Sequence, residues 1–271
     1  MAKRRPHDVV RVVMTDHLIR RRPGGPELLA PREESVPTLV DVELTDPERA
    51  PEGALGEMYR AVAVQRAGGN ASAVGHLGKM LNAVRPPEVE PYIDFGKGLL
   101  QLGRLEEAER TFRVVLERHG ATARAEEWRG IALYRLGRVD EAIAAVRRAV
   151  ERDPQRTADA WYNLGVFLNG EGRHEEALEC LREAVAARPV MAPVWYHLGL
   201  AQNGLGRPDD AIASFRKALE VDPAYDSPYL HLGETLIAQG RRAEALRYWR
   251  HGAKFALQPE SIVAALESAG E

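Results

Sequence analysis

His197 and His231 stand 34 residues apart, a spacing that recurs throughout the chain and would let two imidazoles bridge a metal ion. No third ligand accompanies them, so hydrogen bonding is the better use of both rings. Cys180 is the lone cysteine, which excludes a disulfide framework and a multi-cysteine metal site. On a helical pattern it reads as a small buried hydrophobe. Gly68 to Lys79 imitates a phosphate loop through Gly75, Gly78 and Lys79, but the spacing fails. Met80 also stands where a magnesium-holding hydroxyl would be needed. Asn70-Ala71-Ser72 is a formal glycosylation sequon whose use depends on export. No serine, cysteine or carboxylate pair is joined to a base through a recognisable motif. The expectation is a non-enzymatic protein without a cofactor.

Bulk properties narrow the partners. A net charge of −3 over 271 residues gives no electrostatic footprint for nucleic acid. No apolar run approaches the roughly 20 residues of a membrane span. Lys3-Arg4-Arg5 is not followed by a hydrophobic stretch, so the sequence as it stands predicts a cytoplasmic protein. Protein or peptide partners remain, with self-association open.

The elements that must position any such site are set by a beat. Gly-Arg recurs at Gly103, Gly137, Gly172, Gly206 and Gly240, at intervals of 34, 35, 34 and 34 residues. Seven residues before each stands a second glycine (Gly96, Gly130, Gly165, Gly199, Gly233), and five after each an alanine. One fixed period means one supersecondary unit stacked repeatedly. The later glycine turns the chain between two helices, where a left-handed backbone suits it. The earlier one lets the helix backbones meet. A large residue nine after the turn (Phe112, Val146, Leu181, Phe215, Trp249) fills the core between hairpins. Pro154, Pro189 and Pro223 stop the second helices. The arginine of the beat is expected to be an exposed turn residue with no shared chemistry. Residues 1–52 lack the period and read as an irregular or extended segment. A degenerate helical hairpin spans 53–88, five units span 89–122, 123–157, 158–191, 192–225 and 226–259, and a capping helix lies in 260–271.

An aromatic four residues before the glycine (Trp161, Trp195, Tyr229) with Leu164-Gly165, Leu198-Gly199 and Leu232-Gly233 behind it resembles the tetratricopeptide repeat, or TPR. Glu126 departs from that pattern. The resemblance implies an all-α fold, a right-handed α-solenoid of helix-turn-helix TPR units whose first helices line a concave groove. It implies groove positions at Lys97, Arg124, Tyr134, Arg135, Tyr162, Asn163, Asn169, Tyr196, His197, Asn203 and His231. A wall of tyrosines and amides contacts a peptide's apolar side chains and its backbone together. The expected function is therefore a non-catalytic scaffold binding a protein segment. Alanine at Tyr162, Tyr196 or Asn203 should abolish capture without changing melting.

Residues 2–23, with Met14-Thr15-Asp16-His17, are similar to the stretch following the last haem motif of multihaem c-type cytochromes with C-terminal TPR repeats. That resemblance implies a docking domain of an electron-transfer protein, periplasmic if exported, with His17 as a haem ligand when a haem domain lies upstream. The chain itself contains no Cys-x-x-Cys-His.

Overall fold

A computed structural model describes residues 53–67, 70–153 and 158–270 of the chain. Among these residues there are thirteen α-helices and no strand, in two compact units divided after Ala121. The first unit carries α1 (Gly53–Arg66), α2 (Ala71–Val84), α3 (Glu90–Gln101) and α4 (Leu105–His119). The second carries α5 (Ala123–Arg135), α6 (Val139–Arg152), α7 (Ala158–Gly170), α8 (His174–Ala187) and α9 (Ala192–Gly204). It continues with α10 (Pro208–Val221), α11 (Asp226–Ala238), α12 (Arg242–Phe255) and α13 (Glu260–Ser268). The architecture is an α-solenoid of antiparallel hairpins. No helix among the described residues is long and apolar enough to cross a membrane.

The five turn glycines all have positive φ, between +69° and +76°, where an L side chain is strained. Each is followed by its arginine in the N-cap position of a second helix. Acidic residues fill the first turns, such as Glu106 and Glu107 on α4 and Asp209 and Asp210 on α10, complementing the helix dipole.

Four of the five arginines are not the inert turn residues expected from sequence, while Arg207 is exposed and forks no carboxylate among the described residues. Arg104, Arg138 and Arg173 each fork a glutamate three residues on (Glu107, Glu141, Glu176) with Nε and Nη2 at 2.7 Å. Arg241 does the same to Glu244. Two of these glutamates also receive an arginine from the preceding second helix, Arg147 on Glu176 at 2.6 Å and Arg216 on Glu244. Four of the five turns thus share a charge motif, and at two of them it links to the preceding second helix.

The earlier glycines make room for side chains rather than for a bare backbone. A Cβ on Gly165 would lie 2.6 Å from Leu181 Cγ, and one on Gly199 2.5 Å from the Phe215 ring. Gly96, Gly130 and Gly233 meet Phe112, Val146 and Trp249 in the same way. The large residue nine after the turn therefore sits on the glycine of its own hairpin. At Gly130 the Ala142 carbonyl oxygen is close as well, at 3.1 Å.

In the second unit each helix packs on the next, and α5, α7, α9, α11 and α13 also touch one another in succession. The second helices lie farther apart and meet through side chains, as where Arg147 of α6 reaches Glu176 of α8 and Arg216 of α10 reaches Glu244 of α12. The first helices therefore form a continuous face. Pro189 and Pro223 follow the ends of α8 and α10, while Pro154 and the single-residue insertion near 155–157 lie outside the described residues. Residues 1–52 lie outside them as well.

Candidate peptide-binding face

The centre of the first-helix face is a row of rings. Tyr162 on α7 meets His197 on α9 edge-on at 5.6 Å, and His197 meets Tyr196 at 5.0 Å. Tyr196 in turn meets His231 on α11 and Tyr225 just before it, both at 5.4 Å. Upstream, Tyr134 on α5 stacks on Phe167 of α7, with centroids 4.1 Å apart and planes within 8°. Offset and edge contacts of this kind add to what ring burial alone contributes.

Burial disfavours charge on four of these rings. His197 is driven down to about 4, first by desolvation and then by the neighbouring His231. Tyr196 is pushed up to about 12 by burial, and burial raises Tyr162 and Tyr225 also. Near neutral pH His197 is a neutral imidazole among neutral phenols. Its Nδ1 is buried without a hydrogen-bond partner.

The amides have a different task. Asn163 donates to Glu127 at 3.0 Å, Asn169 to the His197 carbonyl at 2.9 Å, and Asn203 to Thr235 at 2.7 Å. Each bond joins one first helix to the next. His231 Nδ1 lies 3.0 Å from the Ser227 carbonyl and 3.4 Å from the Tyr196 hydroxyl. Asn163, Asn169, Asn203 and His231 therefore fix the spacing of the helices that carry the rings. Tyr196 is likewise no open wall. It is buried, with Phe215, Leu232 and Leu236 in one core cluster. Tyr134, Tyr162 and His197 remain half-buried, while Arg124 and Arg135 are exposed on α5. Lys97 lies on α3, in the first unit. His17 lies outside the described residues.

The chemistry screened from sequence resolves simply. Asn70 is the N-cap of α2, its side chain accepting from the Ser72 and Ala73 amides, and Gly75, Gly78 and Lys79 lie inside that helix. Cys180 is buried in the core, with its thiol pushed up to about 11 by burial. No group of three or more metal-ligating residues forms among the described residues.

The consensus aromatics clamp the loops between repeats. The Trp195 indole donates to the Pro189 carbonyl at 2.8 Å and the Tyr229 hydroxyl to the Pro223 carbonyl at 3.1 Å, each six residues back. Glu126 replaces an aromatic with a buried carboxylate, forked by Arg148 of α6 at 2.9 and 3.1 Å. Tetratricopeptide repeat models match residues 93–157, 156–224 and 203–266.

The repeats are tetratricopeptide repeats.

A human relative, tetratricopeptide repeat protein 7A, is 36% identical over 93 residues, 33% of this chain and 11% of its own length. The match thus spans about a tenth of that protein. Among solved structures, MamA (residues 41 to the end) from Desulfovibrio magneticus RS-1 is 25% identical with a TM-score of 0.56, covering 61% of this chain and 93% of its own. PilF of Pseudomonas aeruginosa is 27% identical with a TM-score of 0.58, covering 62% and 77%. YrrB, described as a TPR protein with an unusual peptide-binding site, shares the fold at 22% identity, with a TM-score of 0.56 over 70% of this chain and 97% of its own.

Proposed function

We propose that this TPR array is a non-catalytic scaffold that binds a peptide segment of a partner protein across the first-helix face of α5, α7, α9 and α11. TPR proteins act as protein-interaction scaffolds, and the finer assignment rests on the face itself. The observation that carries it is the row of rings across the first helices, in which half-buried Tyr162 meets half-buried His197 edge-on at 5.6 Å. The neutrality of Tyr162 and His197 favours an uncharged stretch with an apolar side chain at the centre. Arg124 and Arg135 border the α5 end.

The contact residues are then Tyr134, Tyr162 and His197. Asn163, Asn169, Asn203, His231 and Tyr196 hold them in place. A peptide library displayed on phage and selected on the full chain tests the assignment. Selected peptides should lose binding to Tyr162→Ala while its melting temperature stays within a few degrees of the parent. Tyr196→Ala should instead melt lower, since it empties a core site. Peptides that bind Tyr162→Ala and the parent equally would overturn the assignment.

A further inference from the structure

A cavity lies among the second helices. Between α10 and α12 is a cleft of about 640 Å³, a size ordinary for ligand sites, whose walls come from Arg216, Leu219, Arg247, Tyr248 and His251 over a floor that includes Tyr229. We propose that this cleft is a separate binding site, taking the carboxylate of an acidic residue in a partner peptide together with an apolar side chain beside it.

The polar groups of the cleft sort into satisfied and idle. The Tyr229 hydroxyl is engaged by the Pro223 carbonyl and by His251 Nδ1 at 3.0 Å. Glu220 is paired with Lys217 at 2.7 Å. Two guanidinium groups are left with capacity. Arg216 gives Nη2 to Glu244 and lies over the Tyr248 ring at 5.7 Å, but its Nε–H is buried with no acceptor. In the turn motif, by contrast, Arg104, Arg138, Arg173 and Arg241 each spend Nε and Nη2 on one carboxylate. Arg247 has no hydrogen bond or ion pair with any described residue. The unmet demand is thus for an acceptor and for negative charge. A carboxylate fits both, because its two oxygens take guanidinium hydrogens in a planar, charge-assisted geometry.

The apolar part of the ligand follows from the floor and from the neighbouring surface. A second depression of about 410 Å³ adjoins the first through Pro223 and His251 and is walled by Phe255. The Asp222 carboxylate there accepts the Ala224 amide at 3.0 Å, while both guanidinium groups line the first depression. Leu257, 81% exposed, donates its backbone N–H to the carbonyl of Ala224, one of the lining residues. Two adjoining depressions, one cationic and one apolar, suit consecutive side chains of an extended peptide better than a lone small acid.

Fluorescence polarisation with the full chain tests this, using a fluorescein-labelled Gly-Glu-Phe-Leu-Gly peptide and its counterpart with Gln for Glu. The glutamate peptide should bind about tenfold tighter than the glutamine one, the share expected of a charge-assisted pair. Arg247→Ala should abolish that preference at unchanged melting temperature, Arg247→Lys should restore part of it, and Tyr162→Ala should leave it intact. Equal affinity for the two peptides, absence of saturable binding, or insensitivity to Arg247→Ala would each overturn the proposal. Loss of binding in Tyr162→Ala would do so too, by placing the contact on the first-helix face.

Discussion

At Glu126 a carboxylate replaces the ring that other repeats use to hold the start of the first helix. Its side chain is 6% exposed while that of Arg148 is 41% exposed. The two ends of this pair are therefore unequal. Arg148→Ala strands a buried charge and should cost about 3 kcal/mol, whereas Glu126→Gln leaves a guanidinium that water can reach and should cost less. Urea denaturation of the two variants checks the order. His197 makes a second residue-scale prediction. Its folded value of about 4 lies below the 6.5 of an unperturbed imidazole, so between those pH values the unfolded chain holds the extra proton. The stability tied to neutral His197 is complete above pH 6.5 and is lost as pH falls toward 4, on the order of 3 kcal/mol at most. Melting temperature against pH should fall less steeply over that window in His197→Gln than in the parent.

At the scale of elements, each hairpin closes by seating one large side chain on one glycine. Gly199→Ala would press a methyl into the fully buried Phe215 ring, which has no exit, and should destabilise by about 1–3 kcal/mol. Thermal unfolding measures it. Between hairpins the joint is polar, and Asn203→Ala should cost about 1 kcal/mol by breaking the bond to Thr235. That differs from what the sequence alone suggests, where Asn203 belongs to the ligand and its loss leaves melting unchanged. The period locates such a residue on the inner side of a first helix, but the partner of its amide is set by Thr235, 32 residues away. The Tyr196 ring is likewise placed by residues distant in sequence, Phe215, Tyr225 and His231. Other joints left a legible trace. Arg147 and Arg216 each stand ten residues after a turn glycine, and their partners Glu176 and Glu244 four after the next.

For the whole molecule, the glycine beat made the all-α solenoid legible, because positive φ and close approach are demands that sequence states openly. The cleft between α10 and α12 was not legible. It depends on an arginine with one idle nitrogen, and no spacing announces that. The contact pattern carries a last consequence, one for time rather than stability. Among the described residues, no helix touches another more than two places away in the chain. A growing hairpin never has to wait for a distant segment to arrive. The loop-closure entropy that slows sheet proteins is small at every step. Structure can then start at any well-formed hairpin and spread to its neighbours. Stopped-flow refolding from urea should be complete within milliseconds, apart from a minor phase set by proline isomerisation. Gly199→Ala, placed within one hairpin, should slow growth only locally.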